Sequence, residues 1–176
     1  MVRKSRALAA VVVAVVVLTV TPSSAGTGLE QFHRHGIAFQ CPGSWFVTTR
    51  PLSNGVNPIY RFTVSSSPVR RTRADEGPCL PGVARQLPQR AVLAYLREAL
   101  GSDRRISLPR VPRRPRSFRL PTSTDRSLCG FDRGRWITFK ESGRVLYLGV
   151  YVGPRATALA RQVLARLLNR MGMEPR

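Results

Sequence analysis

The sequence predicts an α+β domain built on a single antiparallel sheet with helices packed on its faces. Three observations carry this. Two runs of strand character, 135–140 and 144–152, flank Glu141-Ser142-Gly143, a short glycine-containing hairpin loop. A helical pattern follows over 154–171, where Leu159, Val163, Leu164, Leu167, Leu168 and Met171 recur opposite Arg155, Arg161, Arg166 and Arg170. Upstream, short runs with a period of two alternate with turn-rich segments. The 176 residues allow one ordinary domain and exclude a large multidomain enzyme.

The elements follow in order. Residues 1–25 read as a secretory signal, with a basic start (Arg3, Lys4, Arg6), an apolar run over 7–20 and the small residues Ser23-Ser24-Ala25. A helix over 7–20 would reach roughly 21 Å, short of a hydrocarbon core of ~30 Å, so a retained anchor is the weaker reading. No cysteine sits near the cleavage point and no Arg-Arg pair opens the segment, which favours the general secretory route. After cleavage no integral membrane span is expected, and the product is secreted or associated with the cell envelope.

Residues 26–35 show no strong period and are expected as a loose leader to one domain over 36–173. Within that domain, 36–40 and 45–49 are expected as a hairpin about Cys41-Pro42-Gly43-Ser44. A connection carrying Asn54-Gly55 and Asn57-Pro58 leads to a strand over 59–66. There Tyr60, Phe62 and Val64 alternate with Arg61 and Thr63. Residues 67–89 read as a long loop. Residues 91–100 stay open between a helix, by propensity, and a short strand over 91–97. Residues 104–119 are rich in proline and arginine and are expected to be extended. Pro154 is placed to open the last helix and Gly172 to close it.

Three cysteines allow at most one internal bridge. Cys79 and Cys129 both lie in turn-rich loops, whereas Cys41 alternates with Ile37 and Phe39 on an apolar strand face. The expected disulfide is Cys79–Cys129, with Cys41 a buried free thiol.

Several pieces recur in a suggestive order. They are Gly36-Ile37-Ala38-Phe39, Pro42, Trp45, Asn57-Pro58, a cysteine at 79, and Leu87-Pro88 running into Val92-Leu93 with Glu98. Then come Pro112, Arg114-Pro115, Phe118-Arg119-Leu120, a cysteine at 129, Phe139, Gly143-Arg144 and Gly153 with Ala156. This order resembles a family of small, uncharacterised exported proteins from high-GC Gram-positive bacteria, whose members are similar to the PsbP-like α/β/α sandwich. The resemblance implies that fold, supports the Cys79–Cys129 pairing and favours a strand over 91–97. An aromatic residue is usual where this chain has Cys41. The resemblance brings no catalytic residues, and it implies a binding or assembly module rather than an enzyme.

The sequence lacks a phosphate-binding P-loop, a glycine triad after a strand, a serine-hydrolase elbow and a zinc-protease motif. No cofactor or resident metal is expected. His33 and His35 would share a face in an extended segment, but no third ligand accompanies them. Glu98 is a candidate general acid, and its plainer reading is an ion pair with an arginine. A small hydrolase using Glu98 or the His33/His35 pair is therefore the alternative function. A structural subunit with incidental charge is a further one.

The strongest signal is charge. Lys+Arg number 29 against nine Asp+Glu, a balance of +20, and all but Lys4 and Lys140 are arginine. Arg110, Arg113, Arg114, Arg116 and Arg119 crowd into ten residues. Guanidinium groups grip phosphates and carboxylates bidentately. The expected function is an exported binding module whose arginines associate with an acidic envelope polymer, an anionic lipid or an acidic protein. Nucleic acid is a poor fit, because only Phe118 offers a stacking ring within the cluster. Coding bias toward arginine explains its excess over lysine, but not the shortage of acids.

Overall fold

A computed structural model describes residues 28–53, 57–72, 79–108 and 110–175. The signal reading over 1–25, Asn54-Gly55, Asp75-Glu76 and Pro109 lie outside the described residues. The element order is β1 (Leu29–Arg34), β2 (Ile37–Pro42), β3 (Phe46–Thr48), β4 (Ile59–Ser65), α1 (Pro81–Gln86) and β5 (Val92–Glu98). It continues with α2 (Gly101–Ser107), β6 (Gly134–Glu141), β7 (Arg144–Val152), α3 (Ala158–Arg170) and β8 (Gly172–Met173).

The fold is α+β and antiparallel, as expected, but its strands form two sheets rather than one. The larger has the order β3-β4-β5-β7-β6 and the smaller β1-β2-β8. The division starts at His35-Gly36, whose φ values of 57° and 67° make a tight left-handed turn. That turn folds 29–34 back along β2, so part of the expected leader is a strand. The hairpin expected between 36–40 and 45–49 does not form, because β2 pairs with β1 and β8 while β3 pairs with β4.

Strand β5 sits at the centre of the large sheet, between β4 and β7. Both its faces are buried, which is why its sequence is a continuous apolar run that also satisfies a helical count. Val92, Ala94 and Leu96 face one core with Phe62, Val64, Leu146, Leu148 and Val150. Leu93 and Tyr95 face a second with Leu80, Val83, Leu128 and Tyr151. The first core is closed by α3, through Leu164, Leu167 and Leu168, and by Ile37, Phe39 and Cys41 of β2. The second is closed by α1, through Val83, and by Leu80 and Leu128, the neighbours in sequence of Cys79 and Cys129. These two cysteines lie at disulfide distance, their Cα atoms 5.9 Å apart.

Five local expectations change. The register of β4 against β5 shifts between Tyr60 and Phe62, leaving Arg61 as the extra residue of a bulge. Tyr60 therefore joins the second core, while Phe62 and Val64 stay in the first. The loop over 67–89 contains α1, and the segment expected to be extended from 104 opens with α2, followed by a turn in which Arg110 and Val111 donate to the Ser107 carbonyl. Helix α3 starts later than Pro154, because Thr157 caps it by accepting a hydrogen bond from the Ala160 N–H. Leu159, in the first turn of α3, is 70% exposed. Gly172 does not cap the far end. It opens β8, which returns to pair with Ala38 of β2.

Candidate functional site

The proline- and arginine-rich segment after α2 lies along the outer edge of β6. The Lys140 N–H donates to the Pro112 carbonyl at 2.7 Å, and the Arg114 N–H donates to the Lys140 carbonyl at 3.0 Å. Bridges at Arg113–Lys140 and Arg126–Gly134 mark the two ends of this strap. It covers an edge that would otherwise present unpaired peptide groups, and prolines cannot extend the pairing outward. Phe118 anchors the middle by packing edge-on against Phe139 in the first core, ring centroids 5.4 Å apart.

The structure separates the five strap arginines into two groups. Arg114 is partly buried. It holds Glu141 with both carboxylate oxygens at 3.0 Å and donates to the Leu168, Asn169 and Met171 carbonyls, the last turn of α3. Its guanidinium also lies over the Phe118 ring. This supplies the helix cap that Gly172 does not provide. Arg110, Arg113, Arg116 and Arg119 are exposed and form no ion pair among the described residues. They recur at every third position of the sequence, although the backbone is not one extended run: Arg110 and Val111 donate back to the Ser107 carbonyl, and the chain bends again at Arg116 and Ser117. Arg114 falls out of that register. The three-residue spacing is the sequence signal that distinguishes these groups, and composition alone hides it.

Several acids are already paired with arginine. Asp125 pairs with Arg135 at 2.7 Å, Asp132 with Arg126 at 2.6 Å, and Glu141 with Arg114. The Asp125 carboxyl falls to about 2, held down first by the Thr122 N–H and then by Arg135. Beside the strap, a cleft of about 510 Å³ opens between Leu108, Arg113, Lys140 and the Ser142-Gly143 turn. Arg104 donates to the Gly143 carbonyl at 2.7 Å at its edge. The cleft lining also includes Glu141, held by Arg114, and the Lys140 ammonium there donates to the Leu108 carbonyl at 2.8 Å.

The other candidates are placed differently. Glu98 is fully buried, and its Oε2 accepts from Arg61 Nε at 2.7 Å and from Arg144 Nη2 at 2.6 Å. Burial alone would raise its carboxyl, but the hydrogen bonds and charges of Arg144 and Arg61 outweigh burial and hold it below the usual range. Glu98 thus takes its plainer reading, an ion pair, with its carboxylate enclosed between two guanidiniums. Its role is to join the sheets, because Arg144 also donates to the Gly36 carbonyl at 3.0 Å.

His33 lies on β1, whereas His35 lies in the left-handed turn, so they do not share a strand face as expected. His33 Nε2 meets Glu174 Oε1 at 2.8 Å on the surface. Among the described residues no group of three His, Cys, Asp or Glu side chains is gathered for a metal. Cys41 is buried and free, and burial raises its thiol above the usual value, so it remains protonated at neutral pH.

Comparison with protein-family profiles, curated proteins and solved structures finds no match to this chain.

Proposed function

We propose that the protein is an exported envelope or extracellular binding module that holds an extended polyanion or anionic surface along the arginine strap. The observation that carries this reading is the split among the strap arginines. Arg114 is engaged in the fold, while Arg110, Arg113, Arg116 and Arg119 stand exposed at a regular spacing with no acid partner among the described residues. Four exposed cations spread over ten residues suit a ligand whose negative charge repeats over distance better than one compact anion. Export rests on the basic start and apolar run over 1–25, and the cysteine pair at disulfide distance fits an oxidising compartment. Among the described residues no helix is long and apolar enough to cross a membrane. The PsbP-like resemblance belongs to the same proposal and supports a binding module over an enzyme.

Co-sedimentation with anionic and neutral vesicles, at low and high salt, tests the reading. The protein recovered after export is expected to bind only the anionic set and to lose binding as salt rises, because each basic residue near such a surface contributes about 1 kcal/mol. Absence of binding at low salt would refute the surface reading and leave the charge incidental.

A further inference from the structure

A second surface feature has a different chemistry. A groove of about 330 Å³ follows the seam between α3 and the small sheet. Strand β2 lines it from both faces, with Ala38, Gln40 and Pro42 from the outward one and Phe39 from the one that also holds Ile37 and Cys41 in the core. Val163 and Leu167 of α3 complete the apolar lining, and Leu29 stands at the groove 67% exposed. The polar groups occupy two sides. Gln31 and Gln40 are direct cross-strand partners, and Arg166 and Arg170 lie one turn apart on α3.

Neither Arg166 nor Arg170 has an acid partner among the described residues, and α3 contains no acidic residue. Two like charges at this spacing repel across the helix surface, and an anion shared between them reverses the sign of that interaction. The apolar floor exposes surface that gains from contact with a hydrocarbon. A polyanion would use the arginines and leave the floor wet, whereas a neutral lipid would use the floor and leave the arginines unpaired. Small-molecule sites run from about 300 Å³ upward, so a groove of this size suits one acyl chain rather than two.

We propose that this groove binds a single-chain carboxylate amphiphile, its headgroup held by Arg166 and Arg170 and its chain laid over Ala38, Pro42, Val163 and Leu167. This inference stands apart from the strap, which shares none of these residues.

Calorimetric titration of the protein recovered after export tests it, with decanoate below its micelle concentration as the probe. Decyltrimethylammonium and acetate supply the tail without the anion and the anion without the tail. Decanoate is expected to bind at a single saturable site, and both comparison probes at least about tenfold more weakly. Removing both guanidiniums, in Arg166→Gln with Arg170→Gln, should weaken decanoate by about tenfold or more. Filling the floor with Ala38→Phe should abolish binding. The exposed rim substitution Gln31→Trp provides the same block should Ala38→Phe fail to fold. Arg113→Gln with Arg116→Gln should leave decanoate affinity unchanged. Equal binding of the decyl cation, an affinity insensitive to Arg166 and Arg170, or no decanoate binding at all would each overturn the proposal. Failure of the unaltered protein to bind anionic vesicles at low salt, with decanoate binding intact, would refute the strap reading alone.

Discussion

Replacing Glu98 with glutamine removes the only negative charge from a buried cluster of three ionised side chains. Arg144 and Glu98 are fully enclosed, and Arg61 is nearly so. The two guanidiniums that remain have no other carboxylate among the described residues. Breaking a buried pair by removing one partner costs about 3–5 kcal/mol, because the surviving charge stays desolvated. Glu98→Gln should therefore lower the unfolding free energy by about that amount in urea at pH 7, a fall in Tm of roughly 8–16 °C for a chain of this size. Trp45 and Trp136 supply the fluorescence signal. Replacing the whole cluster, with Arg61→Met, Glu98→Leu and Arg144→Met together, should restore most of the loss, since apolar substitutes for buried ion clusters are often neutral or better. The pH dependence has a definite sign. A carboxyl whose folded pKa is depressed contributes fully above its unfolded value of about 4.3, and the contribution is lost as pH falls through the folded one. The gap between wild type and Glu98→Gln should accordingly narrow in acid. A change below about 1 kcal/mol at pH 7 would refute the structural role, and a gain in stability would be the signature of a functional acid instead.

Three further outcomes follow from the geometry. Arg114→Gln should destabilise by about 1.5–3 kcal/mol in chemical unfolding, whereas Arg113→Gln and Arg116→Gln should each stay within about 0.5 kcal/mol. Gly149→Ala should cost about 1–3 kcal/mol, because the Tyr95 ring lies where the added methyl must go, and Gly172→Ala, which meets only the Ala38 carbonyl at an ordinary 3.9 Å, should be near neutral. The stability supplied by Asp125, whose carboxyl titrates near 2 against an ordinary 3.8, should be complete above about pH 4 and drain between 4 and 2. Asp125→Asn should remove that part of the acid transition.

What was legible in the sequence was local. The β6–β7 hairpin shows because Ser142-Gly143 adopts the left-handed pair that such a turn demands, between strands of clear apolar character. The body of α3 shows because it packs one face on a sheet. Strand β1 does not show, since most of its residues are exposed and its turn is His35-Gly36 rather than the usual asparagine or aspartate before glycine. The place of Arg61 depends on a one-residue bulge that leaves no compositional trace. The candidate site was half legible. Its arginines stand out by density, but the role of Arg114 depends on carbonyls 54 to 57 residues away, which no local pattern reports. The groove was hidden because its floor reads as ordinary alternation in β2, and its arginines as the polar side of a helix.

The most direct test of the central claim compares two variants of equal charge for binding to anionic vesicles at low salt. One carries Arg110, Arg113, Arg116 and Arg119 each changed to glutamine. The other carries the same change at Arg34, Arg85, Arg90 and Arg155, which are exposed but lie outside the strap. If the strap is the binding surface, the first variant loses association and the second keeps most of it. Equal losses in both would show that net charge alone holds the protein to acidic surfaces, and would contradict the account.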